Sequence, residues 1–358
     1  MSDLEKRIGR RSVLKGLGTG AALVAAPSVW TRGAAAAEQI TVADNGGPFS
    51  TGFRKAYYDP FEKETGIKVV SVVHEPDPSA QFRAVVETKS YIWDACVVTP
   101  GHVASINSGA KNYLEPLGIK REEFPDIMPD ALTDNYLGLA VFATVMAYRT
   151  DKFGEDGPKN WADYWDAKKF AGRRGFHRSA NHNLEVALLA DGVPIDDRYP
   201  LDVERAFRSL DRIKPHIDVW WTSGAHNTQI LQNGEVDLST TWSGRAQTAI
   251  DAGTPLKLVW KDGLLGMDGW AIPRGTPRAD LARKFVRFCA DPKRMAAWTE
   301  ILAYGPTNLQ AYQHIDKKRA ALLPTHPDHV KQMRVQDAQW YAKNLSKLNE
   351  RFRSWMLG

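Results

Sequence analysis

Trp242, Arg245 and Asp268 lie close together in the stretch from Ser239 to Pro273 and supply an aromatic face, a fixed cation and a carboxylate. The apolar pattern and Gly253 predict a helix over about residues 244–252 with Ser243 as its cap. That places Arg245 in the first turn, where the helix dipole disfavours positive charge. An arginine there makes chemical sense beside an anion held by the guanidinium and free backbone N–H groups. Asp268 is suited to a cation, and a cation–π partner stands nearby in Trp242. An anion site and a cation site beside an indole describe a pocket for a small zwitterion.

The elements that carry these groups alternate between strand and helix. Ile40–Ala43, Ile67–Val73 and Asp94–Val98 read as strands, separated by helical runs at Ser50–Glu64, closed by Gly66, and at Ala80–Lys89. Leu137–Tyr148 is a long apolar run without helical period, suited to a strand that crosses between lobes. Arg174–His177, Val219–Trp221 and Val236–Trp242 are further strands, and Leu265–Pro273 reads as a return crossing that brings Asp268 to a cleft. The tail from Pro327 to Leu357 is expected to be helical. The series is α/β, with a parallel sheet flanked by helices as its default. Ligands of open α/β sheets sit at the carboxyl ends of strands. Two such ends are the glycine-bearing loop Asp44–Pro48 and the turn at Thr99 and Gly101, with a hydroxyl and an amide to offer. The first loop lacks the Lys-Ser/Thr ending of a phosphate loop.

Residues 1–37 read as an export signal that is cleaved. A basic lead ends in Arg10–Arg11, an apolar stretch follows, and Ala35–Ala37 closes it, a twin-arginine pattern. The segment has a net charge of +4 out of +5 for the 358-residue chain, leaving about +1 for the remainder. No broad basic excess remains for nucleic acid. Cys96 and Cys289, the only cysteines, are expected as buried thiols. No dinucleotide loop, haem signal, nucleophile elbow or zinc-protease pair appears, so the chain does not read as an enzyme and calls for no cofactor or metal.

Four segments carry a family resemblance: PFEKETGIKVV at 60–70, WTSGAHNTQILQNGEVDLSTTWSGRA at 221–246, MDGWAIPRGTP at 267–277 and AYGPTN at 303–308. In this order they resemble the periplasmic solute-binding proteins of spermidine/putrescine-type ABC importers. The resemblance implies a two-lobed periplasmic-binding-protein fold, each lobe a mostly parallel sheet flanked by helices, with the ligand in the cleft between them. Lobe 1 would take 38–144 and 268–310, and lobe 2 would take 145–267 and 311–358. It further implies a monomer in the periplasm that delivers its ligand to an ABC permease in the inner membrane. Carried over by position, Trp242, Asp268, Tyr304 and Glu185 become ligand-binding candidates, and Phe49 keeps one ring of an aromatic wall. Gln336 is a further match.

The departures from the polyamine pattern share one direction. Gly46 stands where a tryptophan is expected, His182, itself a ligand-binding candidate, where a second acid is expected, and Arg245 where a small neutral residue is expected. The pocket loses negative charge and gains a cation, and a guanidinium facing an ammonium would be costly. Members of the broader family that look like binders of γ-aminobutyrate share the Trp-x-x-Arg spacing and the later aspartate. An ω-amino acid or betaine-like solute is therefore the expected ligand, with a polyamine as the alternative.

Overall fold

Apolar residues in runs of four to six, spaced by amphipathic helices, assemble into one mixed sheet. The computed structural model describes residues 38–358 apart from Pro76. The export signal read over 1–37 lies outside the described residues. The strands are β1 (Gln39–Asp44), β2 (Lys68–Val73), β3 (Ala95–Val98), β4 (Leu132–Thr133), β5 (Tyr136–Arg149), β6 (Arg174–His177), β7 (Ile217–Trp221), β8 (Leu238–Trp242), β9 (Leu256–Ala271), β10 (Gly305–Pro306) and β11 (Arg334–Val335). The sheet order is β2-β1-β3-β9-β5-β8-β6-β7, with β4 and β10 on β5 and β11 on β9.

The expected parallel sheet is found at both ends and not in the middle. The triplets β2-β1-β3 and β8-β6-β7 are parallel. Between them β9 and β5 form a long antiparallel ribbon, joined antiparallel to β3 and to β8. The two triplets therefore run in opposite directions, and their carboxyl ends face each other across the ribbon. β5 is buried along almost its whole length, which explains its unbroken apolar sequence. Packing changes along it: Val145 belongs to a core with β1–β3, whereas Met146 and Ala147 belong to two clusters around β6–β8. Ile315, Leu323 and Met333 pack in the first core, and Tyr341, Leu348 and Phe352 in the second.

Residues 48–65 form one continuous helical run interrupted by a π turn at Arg54–Tyr58, and Gly66 ends it at φ 72°. The extra residue of the π turn lets Tyr57 and Tyr58 both face the core. Cys96 and Cys289 are buried free thiols. The helical tail is shorter than expected. Its main helix is Ala338–Leu357, and residues 331–337 leave the helix so that β11 pairs with Leu264 and Leu265 of β9. Strand pairing here outweighs local helix propensity. No helix of the described residues is long and apolar enough to cross a membrane.

Candidate functional site

Each of the six outer strands ends in a residue that lines one cavity of about 240 Å³. Asn45 follows β1, His74 follows β2, Thr99 follows β3, and Thr222 follows β7; His177 and Trp242 are the last residues of β6 and β8. The opposed triplets thus aim their carboxyl ends at the same space. The central ribbon contributes Phe142 from β5 and Asp268 from β9.

Arg245 is buried, at 8% exposure, in the first turn of the helix Ser243–Asp251, as its sequence position required. Its guanidinium carbon stands 5.2 Å from the Phe49 ring centroid, a cation–π contact. A Cβ on Gly224 would strike the guanidinium, so glycine there makes room for it. Two expectations about this helix are corrected. Ser243 is not its side-chain cap: the preceding Trp242 holds the cap position, and Ser243 Oγ accepts from Ala143 N at 3.2 Å. Nor does its first turn open to the cavity beyond Arg245, because the Tyr304 ring lies against Gly244. The helix start that does face the cavity is that of Gly224–Gln232, through Thr222, Ser223 and Gly224.

Asp268 is the cavity's one carboxylate among the described residues. Burial pushes its pKa up to about 7, while Arg245 and a hydrogen bond from Asn45 pull it back toward the charged form. No ion pair within 4.0 Å joins Arg245 to Asp268 among the described residues. Both charges therefore face the cavity without neutralising one another directly.

Four imidazoles line the same space, and burial disfavours the charged form of each. It brings His177 down to about 3 and His102 down to about 4, and it lowers His74 and His182 as well. His177 stacks on Trp221 at 4.2 Å, and Trp242 meets both rings edge-on. His102 Nδ1 accepts from Thr99 N while Thr99 Oγ1 accepts from His102 N, a capping box at the helix Pro100–Ile106. His182 takes φ 64° and bonds Thr144 Oγ1 through Nδ1.

Seven of the eight site residues read from the sequence line this cavity: Phe49, Thr99, His182, Trp242, Arg245, Asp268 and Tyr304. Glu185 does not. It is fully buried behind His182, where it accepts from Arg198 Nε at 3.0 Å, Tyr199 OH at 2.8 Å, Gln336 Nε2 at 3.0 Å and Tyr341 OH at 3.3 Å. Four donors leave it no free lone pair for a solute, so its role is to hold the wall. The residues that sequence reasoning passed over are Asn45, His74, His102, Phe142, His177, Asn181 and the Thr222–Gly224 turn. The strand-end rule, applied to every strand, would have found most of them.

A family model described as bacterial extracellular solute-binding protein matches residues 56–325. A gamma-aminobutyric acid-binding protein of Pseudomonas aeruginosa is 32% identical over 327 residues, 90% of this chain and 92% of that one. A spermidine/putrescine-binding periplasmic protein of Escherichia coli is 25% identical over 280 residues, 75% of this chain and 79% of that one. Among solved structures, an ABC transporter substrate-binding protein from Bradyrhizobium japonicum aligns with TM-score 0.81 at 32% identity, covering 89% of this chain and 99% of its own. The Atu4243-GABA receptor aligns with TM-score 0.81 at 29% identity, over 89% of this chain and 98% of its own. With this fold, and with the family model spanning most of its length, the chain belongs to the bacterial extracellular solute-binding protein family.

Proposed function

We propose that this protein is the binding component of an ABC importer and captures an ω-amino acid of the γ-aminobutyrate type. The observation that carries the reading is the charge inventory of the cavity. Arg245 and Asp268 are its only guanidinium and carboxyl side chains among the described residues, one able to carry each sign, with burial holding His177 and His102 neutral. A ligand with one carboxylate and one ammonium matches that pair, and a diamine would set an ammonium against Arg245. The relative in Pseudomonas aeruginosa and the Atu4243 receptor are named for γ-aminobutyrate, which agrees with this choice.

In this reading the ligand carboxylate lies between the Arg245 guanidinium and the amide groups that open the helix Gly224–Gln232. The ammonium lies on Asp268, with Trp242 beside it. The two apolar cores act as two lobes that rock about the β5/β9 ribbon and close on the solute. The protein works as a periplasmic monomer, exported by the twin-arginine segment at 1–37, and hands the solute to an inner-membrane permease. It binds and releases without chemical change.

Isothermal titration of the purified protein with γ-aminobutyrate, glycine betaine, putrescine and spermidine tests the assignment. Saturable binding of γ-aminobutyrate, with none of the di- or triamine, is expected. Binding of putrescine or spermidine alone would overturn it.

A further inference from the structure

We infer that the natural ligand is larger than γ-aminobutyrate, and that an apolar branch near its amine fills a second compartment of the cleft. This inference rests on the proposed ω-amino acid site. A second cavity of about 260 Å³ adjoins the first, and Thr99, Phe142, Asn181 and His182 line both. Its own walls are apolar: Met128, Val141, Leu265, Met267, Val335 and Ala338. Phe142 lies along the boundary because its strand partner is Gly266, where a Cβ would strike the ring.

The fold builds this compartment from an interrupted strand edge. The outer edge of β9 pairs with β11 at Leu264–Leu265 and with β3 at Gly269–Ala271. Residues 266 and 267 border the cavity between those two pairings. β11, the far wall, is fixed from behind: Arg198 Nη2 donates to Val335 O at 2.6 Å, and Gln336 Nε2 donates to both Glu185 and Asn181. Yet Val335, on this anchored strand, is 54% exposed. Methionines on two walls give a surface that adapts to the shape of an apolar guest.

Size and polarity say what belongs there. γ-Aminobutyrate has seven heavy atoms, so at roughly the 30 Å³ a water molecule occupies in the liquid it needs about 200 Å³. The first cavity alone holds that. The compartment next to it has Asp130 as its only charged residue among the described residues, and Asp130 is exposed. It therefore suits neither a second carboxylate nor a second ammonium, and burying apolar surface there is favourable. Direction follows from the walls. Phe49, Gly224 and Tyr304, which surround Arg245, line only the first cavity, whereas Phe142 on the boundary shares the ribbon face of Asp268, its strand partner Gly266 lying two residues before that carboxylate. The branch therefore leaves the ligand near its amine end. The ligand class is a γ-amino acid with a hydrocarbon or aryl substituent on the carbon next to the amine-bearing one, or on the nitrogen.

The experiment compares γ-aminobutyrate with 4-amino-3-phenylbutyrate by calorimetry on the wild-type protein, Ala338→Trp and Val335→Trp. Wild type is expected to bind the phenyl compound about tenfold tighter or better, the gain from burying a ring. Either tryptophan fills the second compartment, so each variant should keep its affinity for γ-aminobutyrate and lose the phenyl gain. Unchanged melting temperatures identify the variants that remain folded, and Val335, being half exposed, is the more tolerant position. Binding of γ-aminobutyrate without a phenyl gain in wild type overturns this inference and leaves the function standing. A phenyl gain that survives in a folded variant overturns it too. If neither compound binds, the function and the inference fall together.

Discussion

Arg245 occupies a helix turn that disfavours a cation, and its neighbours are arranged to accept it: Phe49 offers a ring face, Gly224 leaves room and Tyr304 covers the turn. A planar fork in such a slot is not replaceable by a point charge. Arg245→Lys is therefore expected to weaken γ-aminobutyrate binding by about 1.5–3 kcal/mol, the range for hydrogen bonds to charged groups, with the melting temperature little changed. Calorimetry alongside a thermal melt checks both halves of that statement. Asp268 gives a second, pH-dependent prediction. Burial raises its pKa to about 7 from 3.8, so between those values the folded protein holds a proton that the unfolded chain has lost. The resulting stability is complete below about pH 4, falls as pH rises through 7, and is gone above, a change of up to roughly 4 kcal/mol. Asp268→Asn should flatten that part of the pH profile in urea melts at pH 5 and 8. Ligand affinity has the opposite slope. An ammonium needs the ionised carboxylate, so binding tightens by up to about tenfold per pH unit toward 7 and then levels. Pairs with opposite charge in an apolar stretch were readable from residue types alone. The histidines were not, because nothing in their local sequence marks them as neighbours; only opposed strand ends bring His74, His102, His177 and His182 together.

At the scale of elements, the segments that follow simple periodicity were legible and those shaped by distant partners were not. β5 announced itself by an unbroken apolar run because both its faces are covered. β9 was only half visible. The expected crossing began at Leu265, whereas the strand runs back to Leu256 through a bulge opposite Val145, where Asp262 takes φ 56°. The carbonyl of Asp262 accepts from Trp161 Nε1 at 2.9 Å, a contact far away in sequence. Glu185 was misread for a related reason. An acid at a helix start serves equally as ligand contact or anchor, and only the tertiary arrangement of Arg198, Tyr199, Gln336 and Tyr341 decides. That arrangement sets the expected outcome of Glu185→Ala. Arg198, 6% exposed, would lose its only carboxylate partner among the described residues. Breaking a buried pair on one side costs about 3–5 kcal/mol. Urea unfolding should register a loss of that order. Ligand affinity should fall as well, since Gln336 would lose one of the two acceptors that hold it beside Asn181.

Across the whole molecule, one ribbon serves two cores: within three residues β5 passes from the first cluster at Val145 to the others at Met146 and Ala147. A solute bound between Asp268 on the ribbon, Phe49 and Tyr304 in the first core and Trp242 beside the other ties both cores to a common state. Binding to the folded protein alone must then stabilise the fold as a unit, by about 2.7 kcal/mol at a hundredfold excess over Kd. A single thermal transition, shifted upward by a few degrees with γ-aminobutyrate, is the expected result. Asp268→Asn separates what the site costs the fold from what it does. Without ligand at pH 8 the variant should melt above wild type, because a buried charge with no direct ion pair has been replaced by a neutral amide. With ligand it should show no shift. A variant that is both less stable and still shifted by γ-aminobutyrate would mean that Asp268 supports the ribbon and does not receive the ammonium. The paired result, higher stability and lost response, is what a cleft poised to take up a cation requires, since the same desolvated carboxylate that strains the empty protein supplies the attraction when the solute arrives.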